Sequence, residues 1–539
     1  VNHLIRTLTI GSSALALASC GADEIVSPGT GGNITINNPP APAPAPTPTP
    51  TPTSTLVTPA GACPTIANPV QLTDAGTISG PTGTYRVCQM PSRYTASSTL
   101  PYIQGVLYRL GGRVDIGCDG GPSVPSATAP YVSSGAGCGT LTADTNVTLT
   151  IQPGVIIYAT GNQWINANRG NRLNAIGTAA RPIIFTSQDN VAGQVNINSS
   201  GQWGGVVLSG RAPVTDCAAP GATPGTVNCE RQVEGAADPA LYGGATPNDN
   251  SGTLSFVQIR YSGFVLSGDN ELQALTTGGT GTGTTFNNIM SYNSSDDGVE
   301  FFGGLVNVRN LIVVGHEDDA LDTDTGVKAN MQNVIVVMRP GVGDNLIEAD
   351  TSRGTAINNQ TPRQNTQVSN ATFIGNSGVR DQLIRLRGGT DYTLVNSIVV
   401  DLSTPATPCL RIDDPETIQT SGPDELGVPR FHSVVFDCAT DFRAGSGVTL
   451  AQTQAIFESG TNNNANFTRT LTMTFVNGAN ENAVPVFNPT TLSSFFTVPT
   501  NIGAVYPGNN TWINGWTCNS ATVTFDNAVS SCLSLPVYS

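Results

Sequence analysis

The residues best able to do chemistry are carboxylates recurring at fixed offsets between residues 296 and 350. Asp296-Asp297 precede Glu300, Asp318-Asp319 precede Asp322 and Asp324, and Asp344 precedes Glu348 and Asp350. Farther on, the same offsets carry Arg385, Arg387, Arg411 and Asp413. Three chemistries suit this pattern. The first is a ladder of surface ion pairs, in which the arginines neutralise the acids. The second is a Ca2+ site, since hard cations prefer clustered oxygen donors; its candidate ligands are Asp297, Glu300, Asp319, Asp322, Asp324 and Glu348. The third is acid/base work on a glycosidic bond, for which paired carboxylates are suited. Carboxylates this close raise one another's pKa unless a cation or an arginine intervenes. His316, in Gly315-His-Glu-Asp-Asp, reads as a turn histidine paired with a neighbouring carboxylate, with a base or metal-ligand role as the alternative. Trp203, Trp512 and Trp516 sit in glycine-rich contexts and are expected to pack at the ends of the fold. No nucleophile-elbow, Walker, HExxH or EF-hand pattern stands out.

The elements that position these acids repeat. Asparagines precede apolar runs at Asn288, Asn310, Asn333, Asn370 and Asn396, with spacings of 22, 23, 37 and 26 residues. A repeat near 22 residues, with longer insertions looping out at a corner, is the signature of a β-solenoid. Asparagines at equivalent corners are expected to bond from rung to rung, as stacked amides do. Val299, Leu321, Ile347, Ile384 and Leu410 form one inward column, and Phe301, Thr323, Ala349, Leu386 and Ile412 a second. Side chains alternate along a strand, so Glu300, Asp322, Glu348, Arg385 and Arg411 must point outward, on rungs roughly 4.8 Å apart. The expected fold is all-β, a right-handed parallel β-helix with caps at both ends.

The N-terminus and the cysteines bear on location. Val1 is read as an alternative start codon, and Arg6 is followed by an apolar stretch, Leu8 to Leu17, too short for a permanent span. Leu17-Ala-Ser-Cys20 resembles the lipobox of bacterial lipoproteins, which implies a signal peptide over 1–19 and a lipid on Cys20. Removing residues 1–19 takes away Arg6 and no acid, moving the formal net charge from −15 to −16. Such a charge argues against nucleic acid, whose phosphates need basic residues, and favours divalent cations, neutral or cationic ligands, or protein partners. With a single lysine, Lys328, chemistry needing an amine nucleophile is nearly excluded. Residues 20–60 carry a Pro/Thr-rich run expected to form an extended stalk. The remaining ten cysteines are expected to pair with their nearest neighbours in the chain. That places Cys63 with Cys88, Cys118 with Cys138, Cys217 with Cys229, Cys409 with Cys438, and Cys518 with Cys532.

Longer phrases carry a resemblance. Leu149-Thr-Ile-Gln-Pro-Gly-Val-Ile-Ile, Gln202-Trp-Gly-Gly-Val-Val-Leu-Ser-Gly, Asp296-Asp-Gly-Val-Glu-Phe-Phe-Gly-Gly and Trp512-Ile-Asn-Gly-Trp-Thr are similar to motifs of bacterial envelope lipoproteins with a right-handed parallel β-helix body. The resemblance covers roughly residues 140–520. It implies an outer-membrane lipoprotein, periplasmic or surface-exposed, with an outer-membrane transport system as a partner. In ingredients alone, the acidic face is also similar to β-helix pectate lyases, which use acidic Ca2+ ligands with an arginine base, and to β-helix polygalacturonases, which use paired aspartates. That similarity would give Asp322, Glu300 and Arg385 catalytic roles on a polysaccharide.

The expected organisation is a signal peptide (1–19), anchor and stalk (20–60), a disulfide-containing N-terminal cap (61–140), the β-helix (141–445) and a C-terminal cap region (446–539). The leading functional expectation is a binding or accessory module without catalysis. A Ca2+-dependent polysaccharide lyase or hydrolase is the alternative.

Overall fold

The computed structural model describes residues 56–538, apart from 235, 237–238, 268–269, 353–359, 379 and 526–529. Cys20, the expected signal peptide and most of the expected stalk lie outside the described residues. From Leu56 onward the chain forms one compact unit. It is a right-handed parallel β-helix: one sheet of fifteen strands and a second of eleven, in which each strand pairs with its equivalent one coil away. Both inward columns hold. Val299, Leu321, Ile347, Ile384 and Leu410 lie in register, as do Phe301, Thr323, Ala349, Leu386 and Ile412, and all ten are buried.

The asparagines mark a corner. Asn288, Asn310, Asn333, Asn370 and Asn396 all have φ between 51° and 62°. Each sits inside a long strand and bends it, so that a single strand contributes to two faces of the coil. Asparagine tolerates this left-handed conformation because its short amide bonds locally. The expected ladder forms over three rungs: Asn310 donates to Asn288 (3.2 Å) and Asn333 to Asn310 (2.9 Å). It does not continue. Asn370 and Asn396 donate instead to backbone carbonyls of the C-terminal segment, at Asn501 and Phe487.

The ends differ from expectation. Coils begin well before residue 141, because Gly83–Gln89 already pairs in parallel with Val106–Arg109, and Arg113–Ile116 with Trp164–Ala167. Within the two large sheets, among the described residues, only Thr73–Gly80 runs antiparallel, shielding the first edge. At the other end, helix Leu450–Glu458 starts with a capping box formed by Thr449 and Gln452. Its Phe457 stacks on Phe436 at 4.4 Å and closes the last coil. The rest of the expected C-terminal cap does not cap anything. The described residues of 467–538 run back along the outside of the larger sheet, where Phe475, Ile502, Val505, Ile513 and Trp516 cover Tyr292, Ile312, Ile335, Ile374 and Ile398. Tyr538 reaches as far as Tyr102 and Pro182.

All five expected disulfides are formed. Cys63 is bonded to Cys88, and Cys118 to Cys138. Cys217 is bonded to Cys229, Cys409 to Cys438, and Cys518 to Cys532. Two of them staple coils rather than a separate cap. Cys88 lies in strand Gly83–Gln89, and Cys118 comes just after strand Arg113–Ile116, past Gly117; both strands are already part of the parallel stack. Cys409 directly precedes strand Leu410–Ile412 and Cys438 directly follows Arg430–Asp437, so their bond joins the smaller sheet to the larger one near the end of the stack.

Candidate functional site

The outward column of the smaller sheet is the one expected. Thr276, Glu300, Asp322, Glu348, Arg385 and Arg411 pair rung to rung. It divides into two halves with different chemistry.

The downstream half is an ion-pair ladder. Arg385 bonds Glu348 (3.2 Å) and Asp413 (2.9 Å), Arg387 bonds Glu348 (2.5 Å) and Asp350 (3.1 Å), and Arg411 bonds Asp413 (2.8 Å). Burial disfavours the charge on Arg385, but the hydrogen bond to Asp413 and the charge of Glu348 outweigh it, and its pKa rises above the usual arginine value. A guanidinium held as a cation in this way is the reverse of what a base requires. Asp413 is pulled down: the Ser446 amide, Arg385 and Arg411 together overcome the cost of its burial.

The upstream half is acid on acid. Oxygens of Asp297, Glu300 and Asp322 lie within 4.8 Å of one another, and so do those of Asp319, Asp322 and Glu348. Asp296, Asp297 and Asp318 form a third such group, and Asp318, Asp319 and Asp344 a fourth. Asp322 belongs to the two central groups. All five central acids are at most 6% exposed. Burial, reinforced by neighbouring carboxylates, pushes Asp297, Glu300 and Asp319 well above the usual carboxylate range. Asp324, also expected as a ligand, stands outside these groups among the described residues and lies in the field of Arg231 and Tyr242.

Two features position the acids. The first is a ladder of turns: Asp297 accepts the Asp319 amide (2.8 Å), and Asp319 accepts the Asn345 amide (2.7 Å) and side chain (2.8 Å). Gln382 then donates to Asn345 at 2.7 Å. The sequence carries this signal in Asp297, Asp319, Asn345 and Gln382, each three residues before a member of the outward column. The second is a cover that sequence reasoning missed. Residues 211–244, closed by Cys217–Cys229, pack Val214, Val233 and Tyr242 against Trp164, Val207 and Phe302. They bring Glu234 into the field of Glu300.

His316 is fully buried, and burial lowers its pKa to about 3, so it is neutral. It faces the Asn345 backbone, not the expected carboxylate. Trp203 is a core residue that donates to the Arg260 carbonyl (2.8 Å), while Trp512 and Trp516 belong to the segment on the outside of the sheet. None of the three lies at a solenoid end.

The arrangement offers a hard cation an all-oxygen, dry environment, and it offers a substrate little access to Glu300 or Asp322. Among the described residues no helix is long and apolar enough to cross a membrane. No curated protein and no solved structure matches the chain. A family model described as a pectate-lyase like beta helix domain matches residues 137–517, most of the β-helix and part of the segment that returns along it. With stacked parallel strands over the same span, the chain belongs to the pectate-lyase-like β-helix family.

Proposed function

We propose that this chain is a cell-envelope binding module, without catalysis on its acidic face, in which the buried acids hold Ca2+. The observation that carries this reading is the pair of carboxylate triads sharing Asp322. Neighbouring arginines are committed to Glu348, Asp350 and Asp413, so they leave Asp297, Glu300 and Asp319 to repel one another. Carboxylates are the donors Ca2+ prefers, and carbonyls or water would complete its six to eight ligands. Bound in one triad, an ion would pin two successive coils to one another, and ions in both would link three. Five disulfides fit an extracytoplasmic location. A lipid on Cys20 and a transport system as partner belong to the same proposal. The lyase or hydrolase alternative draws support from the family description, yet Arg385, the base it would need, is paired with Glu348 and Asp413, and Glu300 is only 4% exposed.

Thermal unfolding with Ca2+ and with EDTA tests the cation. At one hundred times its Kd, a ligand specific for the folded state stabilises it by about 2.7 kcal/mol. The sign of the pH dependence follows from the raised carboxyls. Their folded pKa values exceed the unfolded values of about 3.9 and 4.3. Their stabilising contribution is therefore complete below those values and is lost as pH rises through the folded ones. The metal-free protein should weaken from pH 5 to pH 8, and the gain from Ca2+ should grow over the same range. Asp322→Asn, which touches both triads, should remove most of that gain. A melting temperature indifferent to Ca2+ and EDTA from pH 5 to 8 rules out the cation. Release of unsaturated or reducing sugars from a polysaccharide, abolished in Asp322→Asn, rules out the non-catalytic reading.

A further inference from the structure

We propose that the third face of the β-helix, formed by the strand halves before the asparagine corner, binds a neutral glycan. The proposal rests on the binding-module reading and supplies its ligand class.

One outward column on this face runs Thr99, Thr150, Asn174, Thr253 and Thr285, each paired with the next across adjacent strands. Phe286 pairs with Val308, which sets Thr285 beside Asn307, and Asn307 pairs with Asn330. Seven residues at roughly 4.8 Å per rung make a straight strip about 29 Å long. All seven are exposed or half-buried. Among the described residues, only Asn330 and Asn307, joined by a bond from the first to the second at 2.9 Å, use side chains of this column in a hydrogen bond within the chain. The other hydroxyls and amides face solvent, each with donor and acceptor capacity.

Charge narrows the ligand. The chain carries 38 acids. The strands Ser98–Leu100, Thr148–Ile151, Arg172–Ile176, Gly252–Arg260, Thr285–Tyr292, Leu305–Val314 and Lys328–Val337 contain none. The flanking cations are occupied: Arg172 by Asn146, Lys328 by Asp424, and Arg309 by Gln332 and the Phe495 ring. What remains is uncharged, periodic and rigid, and so matches a chain of hydroxyls more than an ionic polymer. At its N-terminal end the strip opens into a groove of about 390 Å3 lined by Thr65, Ile66, Ser97, Thr99, Pro101 and Thr150, where a sugar ring can sit below the plane of the sheet. A preformed surface of this kind pays little ordering cost on binding.

Native affinity electrophoresis of the full chain in gels containing hydroxyethyl cellulose, xyloglucan or galactomannan tests this, with polygalacturonate as the charged control. The expected result is retardation by at least one neutral polymer and none by polygalacturonate. The double variant Thr150→Glu with Thr253→Glu should weaken it by at least about tenfold. The pair Thr150→Val with Thr253→Val, which keeps shape and strand preference while removing two hydroxyls, should weaken it as well. Ca2+-dependent melting should be unchanged in both variants, so this proposal and the cation site fail separately. No retardation by any neutral polymer, retardation by polygalacturonate alone, or equal retardation of the variants would overturn the proposal.

Discussion

Arg169→Ala should cost about 3–5 kcal/mol, the penalty for removing one partner of a buried ion pair. Arg169 is completely buried. It bonds Asp119 through two nitrogens, both at 2.7 Å, Glu230 at 2.6 Å and the Gly243 carbonyl at 3.0 Å. Without it the carboxylate of Asp119, itself 2% exposed, loses both of its guanidinium bonds. The damage should also be local. Asp119 lies in a turn after an early coil, whereas Glu230 and Gly243 lie in the segment covering the acidic column. A solenoid transmits stability mainly between neighbouring coils. Hydrogen exchange should therefore quicken over residues 211–244 and around residue 119 before it does so near the C-terminal helix. Denaturation midpoints measure the total and exchange measures the place. A loss under about 1 kcal/mol, or uniform exchange, would show that this arginine does not fasten the cover.

Much of this architecture is legible in the sequence because a coil repeats. Val299, Leu321 and Ile347 recur at one offset, and Glu300, Asp322 and Glu348 at the next, so burial of the first column fixes the direction of the second. The arginines opposite Glu348 are readable in the same way. The disulfides are legible for a related reason: in a stack of short coils, cysteines close in sequence, such as Cys409 and Cys438, are also close in space. Physical reasons hide the rest. The asparagine positions are visible, but their role as left-handed corners depends on backbone angles that composition does not specify. The burial of Glu300 and Asp322 depends on residues 211–244, an irregular insertion whose packing leaves no periodic trace. The covering C-terminal segment does leave one. Leu311-Ile-Val-Val and Val334-Ile-Val-Val do not alternate, and continuous apolar runs belong to strands covered on both faces. Something has to lie over Ile312 and Ile335, and residues 467–538 do.

Trp516→Ala should loosen that segment, at a cost of about 3–5 kcal/mol for truncating a buried tryptophan. The indole is fully buried, donates to the Trp512 carbonyl at 2.6 Å and meets the Phe256 ring edge-on at 6.0 Å. The Trp516 carbonyl accepts from the Gln258 side chain, so the residue ties the segment to its strand through both backbone and ring. Beneath lie Tyr261, Met290, Tyr292, Ile312 and Val314, an apolar face that water would reach if the segment lifted. Limited proteolysis separates detachment from general unfolding. The variant should be cut first within 467–538, while the coils bearing the acidic column resist, and it should associate at concentrations where the parent stays dispersed, as large exposed apolar patches do. The Cys518–Cys532 loop stays closed in the variant, so early cleavage there would reflect lost packing. Cleavage that starts instead in the coils would mean that the tryptophan supports the solenoid itself.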